Sequence, residues 1–288
     1  MLCRFFALFL LFLSIPLHSK VIDITVETDI YFYAKDIIGK TPILDITDYS
    51  GKNAQRDVVE FILIQQALLL GGADIQFNFI YGNYDARNLK LLNEGLLLLS
   101  FDSLWLSATE RYKDNLYISG PLIRKGEYYA GVFTSEQNVA NYNAKTLSLS
   151  DMTIVSSKDW HVDWVTLQSL KPKKLVHESD WIVMAKMVSR GWIDGMLAPF
   201  KKQHNFSYIG PDYKIFAIPN VKVALNDSRH FVVSKKHPLG QQTFEALQRG
   251  LKILRDRGLI EKAYREAGFL NDDVKDWRTI KVADPLFD

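Results

Sequence analysis

The stretch ADIQFNFIYGNYDARNLKLLNEGLLLLS, Ala73–Ser100, decides the fold. Ile75–Ile80 reads as a strand closed by Gly82-Asn83. Asp85 then caps a helix that carries Leu89 and Leu92 on one face and stops at Gly95. Leu96–Leu99, within a span Gly95–Leu106, has no polar interruption and predicts a strand covered on both faces by helices. Upstream, Val21–Val26 is a β-branched alternating strand, and Asn53–Leu70 reads as a helix with Arg56, Asp57 and Glu60 in its first turn. Strand, helix, strand, helix, strand predicts a mostly parallel α/β sheet.

The pattern loosens after Thr109 and restarts at Tyr128–Phe133, where a second α/β series begins. Met152–Ser156, Lys174–His177 and Trp192–Leu197 read as strands, and Trp160–Leu170 and Trp181–Arg190 as the helices between them. Trp181, Met184, Ala185 and Val188 form the apolar stripe of the latter helix, and Gly191 ends it. Val221–Leu225 and Phe231–Val233 return as strands. Phe244, Leu247, Leu251 and Leu254 mark a helix stopped by Gly258, and Glu261–Ala267 is a short helix closed by Gly268. Two α/β units joined through the middle predict two lobes.

The composition agrees with a globular chain: 288 residues, 48% hydrophobic and 24% charged. A net charge of +2, with no block of basic residues, gives no field for a polyanion and excludes nucleic acid as the expected partner. A single cysteine, Cys3, excludes a disulfide framework and a thiolate metal cluster. Arg4, the apolar run Phe5–Ile15 and the polar Ser19-Lys20 form a secretory signal pattern, too short as a helix, at about 16 Å, for a hydrocarbon core of about 30 Å. Residues 1–19 are thus expected to be a signal peptide and the remainder to work in the periplasm.

The sequence lacks G-x-S-x-G, H-E-x-x-H and a strand-borne G-x-G-x-x-G. No cofactor or metal is therefore expected.

Three runs carry a resemblance. The first is Leu92-Asn-Glu-Gly95, followed by Ala108-Thr-Glu-Arg111 and Tyr117-Ile-Ser-Gly-Pro121. The second is Met187-Val-Ser-Arg-Gly-Trp-Ile-Asp194. The third is Phe231-Val-Val-Ser-Lys-Lys-His-Pro238 with Ala246–Leu251, Gly258 and Ala263-Tyr264. In order and spacing they resemble the extracellular solute-binding proteins of family 3, which have the type 2 periplasmic binding protein fold. The resemblance implies an α/β two-lobed clamp, with mixed, mostly parallel sheets, helices on both faces and a two-strand hinge. Lobe 1 would comprise residues 20–132 and 222–288, and lobe 2 residues 133–221. The hinge strands would be Tyr128–Phe133 and Val221–Leu225.

The resemblance also places a ligand in the cleft, where strand ends and helix N-termini converge. Arg111 matches the family arginine that grips a ligand carboxylate, with Ser107 and Thr109 as hydroxyl donors beside it. The acidic residue that pairs with a ligand ammonium in amino-acid-binding members falls here on Pro199. Aromatic residues at expected loops, Tyr31, Tyr33, Trp105, Trp160 and Trp181, suit a ring, a sugar or a cation, with Ser156 preceding Trp160. Arg56 and Arg87 sit in the first turns of lobe 1 helices, against the helix dipole, which suits anion binding.

The reading that follows is a monomeric, non-enzymatic periplasmic receptor. It would close on a small polar or anionic solute, ring-containing ligands included, for an ABC-type transporter or a membrane sensor. Two alternatives stay open: a ligand-free protein-interaction module, and a dehydratase-like enzyme drawing its acid or base from Glu110, His161 or Asp180.

Overall fold

The structure is a computed structural model that describes residues 20–82, 85–200 and 206–281, so the signal segment 1–19 lies outside the described residues. The chain opens with β1 (Lys20–Glu27), α1 (Thr28–Ile38), α2 (Arg56–Leu70), β2 (Ile75–Gly82) and α3 (Asp85–Glu94). β1 and β2 pair in parallel, with Lys20 opposite Ile75. Ten of the fifteen residues of α2 are buried, so it is apolar on nearly every side and forms the spine of this body. Its one buried amide, Gln66, is satisfied: Nε2 donates to the carbonyls of Ile43 and Ile46, and Oε1 accepts from the Tyr49 hydroxyl.

The run after Gly95 is not the covered parallel strand that its leucines predict. Leu97–Leu99 are buried, but Leu96 is 71% exposed, and the backbone pairs only locally and antiparallel. Ser234 donates to Leu98 O, and Ser100 to Val232 O. A leucine run reports burial, and burial does not choose the pairing partner. Next come β3 (Leu104–Trp105), α4 (Leu106–Glu110), β4 (Leu116–Ile118) and β5 (Tyr129–Ser135). The second body holds β6 (Thr153–Ser156), α5 (His161–Leu170), β7 (Lys174–His177), α6 (Trp181–Ser189), β8 (Gly195–Pro199), β9 (Ser207–Gly210) and β10 (Tyr213–Ala224). The chain returns through β11 (Arg229–His230), β12 (Val232–Ser234), α7 (Gly240–Asp256) and α8 (Leu259–Glu266), and ends with β13 (Arg278–Ile280).

The large sheet runs β13-β10-β5-β8-β6-β7, with β9 paired to β10. Its strands send alternate side chains to two cores. Val132, Ile154, Leu197 and Ile218 join the main core, whereas Phe133, Val155, Met196, Ala198 and Ala217 join a second core under α6. β5 and β10, the strands expected to cross between lobes, pair antiparallel in two segments. The register breaks between Ala217 and Lys222, around Pro219 and a left-handed Asn220. β13, from the stretch expected with lobe 1, adds to this sheet beside β10.

The first and last parts of the chain are locked together by a helix crossing. A Cβ on Gly250 of α7 would fall 1.7 Å from the Ala67 carbonyl oxygen of α2, and one on Gly71 would fall 1.8 Å from Ala246 O. The Arg249 guanidinium donates to Gly71 O, closing the C-terminus of α2. Among the described residues no helix is long and apolar enough to cross a membrane.

Candidate functional site

A cluster of charged side chains gathers at the first turn of α2. The first turn of α2 supplies Arg56, Asp57 and Glu60. The turn before β3 supplies Asp102 and Ser103, β3 supplies Trp105, β11 supplies Arg229 and α8 supplies Tyr264. From the other body, the first turn of α5 supplies Asp163, whose charge is felt with those of Arg229 and Arg56.

Glu60 is the anchor. It is fully buried, and four donors meet its carboxylate. Oε1 accepts from Ser103 Oγ at 2.6 Å and the Tyr264 hydroxyl at 2.8 Å, and Oε2 from Ser103 N at 2.8 Å and Arg56 Nη1 at 2.9 Å. Burial alone would raise its pKa, but Arg56, Arg229 and the Ser103 bonds outweigh it and hold the carboxyl below the usual 4.5.

Both guanidiniums are engaged. Arg56 is ion-paired with Asp57 as well as with Glu60, and these carboxylates keep it charged despite burial. Arg229 donates through Nε to Ser103 Oγ at 2.9 Å and through Nη2 to Ser103 O, and lies over the Trp105 ring at 4.6 Å.

The other three carboxylates lack such company. Burial, reinforced by Glu60 and Asp102, pushes Asp57 up to about 6 against the pull of Arg56. Burial also raises Asp102, although Ser100 Oγ donates to it at 2.6 Å. Asp163 is pushed up to about 6 by burial, against its own backbone N–H and the two arginines. Tyr128, just before β5, has its phenol raised by burial and then by Asp163, and it stacks on Phe269 at 4.6 Å.

Of the residues singled out in the sequence, Arg56 and Trp105 come together here. Arg111 does not share their contacts: it is exposed at the C-terminal end of α4 and lies over the ring of its own neighbour Tyr112. Ser107 donates N–H and hydroxyl to Asp227, and Thr109 is buried, with Oγ1 donating to Leu106 O. Tyr31 and Tyr33 lie in α1 rather than a loop. Tyr31 stacks on Tyr81 and abuts Phe61 and Phe79, an aromatic wall of the core. Arg87 is exposed on α3. Ser156 is buried at the end of β6, Trp160 is half-buried at the N-cap of α5, and Trp181 packs on Tyr208 and Tyr213.

Asp57, Glu60, Asp102, Ser103, Asp163 and Arg229 were not singled out as site residues. The signal available in the sequence was the Arg56-Asp57 pair with Glu60 four residues on, a charged first turn on an otherwise apolar helix. Asp102, Asp163 and Arg229 have no local signal, because only the chain path brings them to α2.

Solved structures share this two-body arrangement. The fold is that of the two-lobed periplasmic binding proteins. The periplasmic VFT2 domain of Bordetella pertussis BvgS superposes with a TM-score of 0.52 at 15% identity, covering 76% of this chain and 83% of that one. A Streptococcus pneumoniae amino acid ABC transporter substrate-binding protein, bound to L-arginine, gives 0.51 at 18% identity, covering 74% and 83%. A mutant of ArgBP from T. maritima gives 0.52 at 12% identity, covering 85% and 94%. No protein-family model and no curated protein matches the sequence.

Proposed function

We propose that this chain is a periplasmic receptor whose lobes close on a small polar solute, delivering it to an ABC-type transporter or reporting it to a membrane sensor. Lobe 1 is assigned to residues 20–132 and 222–288, lobe 2 to 133–221, and the paired strands β5 and β10 serve as the hinge. The observation that carries the reading is the buried polar knot of Arg56, Glu60, Ser103 and Arg229 on the first body, whose field reaches Asp163 at the start of α5. Uncompensated charge is rarely buried without a partner, and a clamp closing on a polar ligand supplies one.

Binding without catalysis fits the placement of the candidate acids and bases. Glu110 and His161 are exposed, and Asp180 caps α6 by accepting from Val183 N at 2.8 Å. The structural relatives named above include solute-binding proteins and the periplasmic domain of BvgS, and the receptor role extends to this chain by fold analogy.

The test is a thermal-shift screen against amino acids, organic acids, sugars, polyamines and aromatic acids. A ligand at about a hundred times its Kd adds roughly 2.7 kcal/mol and raises Tm by several degrees. A saturable shift with any class supports a receptor. No shift from any class moves the reading to an interaction module.

A further inference from the structure

The last described segment of the chain leaves one body and joins the other. Phe269 and Leu270, just past α8, are held to the first: both N–H groups donate to Tyr264 O, and the Phe269 ring stacks on Tyr128 at 4.6 Å. Four residues beyond Leu270, Val274 is buried in the second core, the one that holds Phe200 and Trp277. The Trp277 ring meets Phe200 and Phe206 edge-on at 5.4 Å each. The Arg278 guanidinium then donates to Ala144 O and Leu147 O of the second body.

This segment runs alongside the crossing strands. β13 lies parallel to β10, with Arg278 opposite Val221 and Ile280 opposite Val223, so three strands stand side by side next to the register break where two were expected. Lys222, at that break, is 4% exposed. Its ammonium donates to Val274 O at 2.7 Å and Lys275 O at 2.8 Å, and lies over the Tyr129 ring at 4.3 Å. One buried cation thus ties β10, β5 and the segment together. The four residues from Leu270 to Val274 reach about 14 Å at full extension. Turn hydrogen bonds from Val274 N to Asn271 O and from Lys275 N to Asp272 O already shorten them, which leaves no slack between the two anchors.

We infer that residues 269–280 form a strap across the hinge that restrains the opening of the two lobes, with Lys222 as its clasp. The inference rests on the two-lobed receptor reading and goes beyond it. A hinge of two strands bends by changing a few backbone dihedrals. A taut third segment anchored at both ends must bend with them or detach from Lys222, and detachment breaks two hydrogen bonds to a buried ammonium. Loosening the clasp therefore widens the range of lobe separations in the ligand-free protein.

Spin labels read this separation directly. Cys3 is the chain's single cysteine, so Cys3→Ser combined with Lys90→Cys on α3 and Val165→Cys on α5, both exposed positions, puts one label on each lobe. Pulsed dipolar spectroscopy should show a distance distribution that broadens toward longer separations in Lys222→Met and in Arg278→Ala. The amides of Arg278–Ile280 should exchange at least about tenfold faster in Lys222→Met, the loss of one hydrogen bond to a charged group. Arg278 is exposed, so its alanine variant decides the question should Lys222→Met fail to fold. Pro219→Gly, which loosens β10 itself, is the control. Unchanged distributions in the folded strap variants overturn the strap. The receptor reading then stands if Pro219→Gly broadens the distribution or the thermal-shift screen finds a ligand, and falls with the strap if neither happens.

Discussion

The carboxylate of Glu60 accepts a hydrogen bond of 2.8 Å from the hydroxyl of Tyr264, 204 residues further along the chain. That bond ties α2 to α8, so one lobe is assembled from both ends of the sequence. Both groups are buried, and the acceptor is charged, which puts the bond among the stronger class. Tyr264→Phe is expected to cost about 1.5–3 kcal/mol. Glu60→Ala, which strands Arg56 and the Ser103 and Tyr264 hydroxyls, should cost about 3–5 kcal/mol. Urea unfolding with an unchanged slope would read both, and a Glu60→Ala midpoint equal to the parent's would refute the anchor role.

Gly250 gives a prediction whose sign is set by competition. In an isolated helix, alanine is favoured over glycine by about 1 kcal/mol. Here the added methyl would meet a backbone oxygen of α2 at 1.7 Å, an atom that moves only if the helices part. Overpacking of this kind costs about 1–3 kcal/mol or more, so Gly250→Ala should destabilise. A raised Tm would mean that α2 and α7 are not in contact at this crossing.

The elements were legible wherever one residue type reports one physical constraint. Gly95 and Gly258 both adopt positive φ at the helix ends they mark, at +81° and +71°. The stripe Leu247, Leu251 and Leu254 is buried as its spacing requires, and Lys174–His177 forms a strand within its expected limits. Helix α1 was not legible: Tyr31 and Tyr33 alternate as in a strand or loop, and only packing against Phe61 and Phe79 settles the matter. The charged cluster was half legible. Arg56 and Trp105 could be read from helix position and local order, but Asp102, Asp163 and Arg229 reach it through tertiary path alone.

Arg111→Ala separates motif from geometry. The side chain is exposed, and its contact is the ring of Tyr112, which it approaches at 4.9 Å. Exposed substitutions of this sort stay within about 0.5 kcal/mol. The expected outcome is an unchanged unfolding midpoint, together with retained affinity for whatever ligand the screen finds. A loss of binding with intact stability would place Arg111 at the ligand, as the family resemblance implies.

The pH dependence of the ligand-free protein follows from two opposed sets of carboxyls. Asp57 and Asp163 have folded-state values of about 6 against an ordinary 3.8, so the folded form binds protons more readily than the unfolded chain. Their contribution is complete at low pH and is lost as pH rises through about 6. Asp57 faces Arg56, Glu60, Arg229 and Asp102, and Asp163 faces Arg229 and Arg56. Arg56 and Glu60 stay charged while the two carboxyls titrate, and burial raises Asp102 in the same sense. Glu60 acts in the opposite sense, because its folded value lies below the ordinary 4.5, and its contribution disappears as pH falls through that lowered value. Stability should therefore rise on acidification from neutrality through pH 6 and fall again once Glu60 protonates. Melting curves between neutral and acidic pH would trace this maximum. Asp163→Asn should raise Tm at neutral pH and flatten the slope above 6, while a parent profile that falls steadily from neutrality would show that these carboxyls are not short of positive charge.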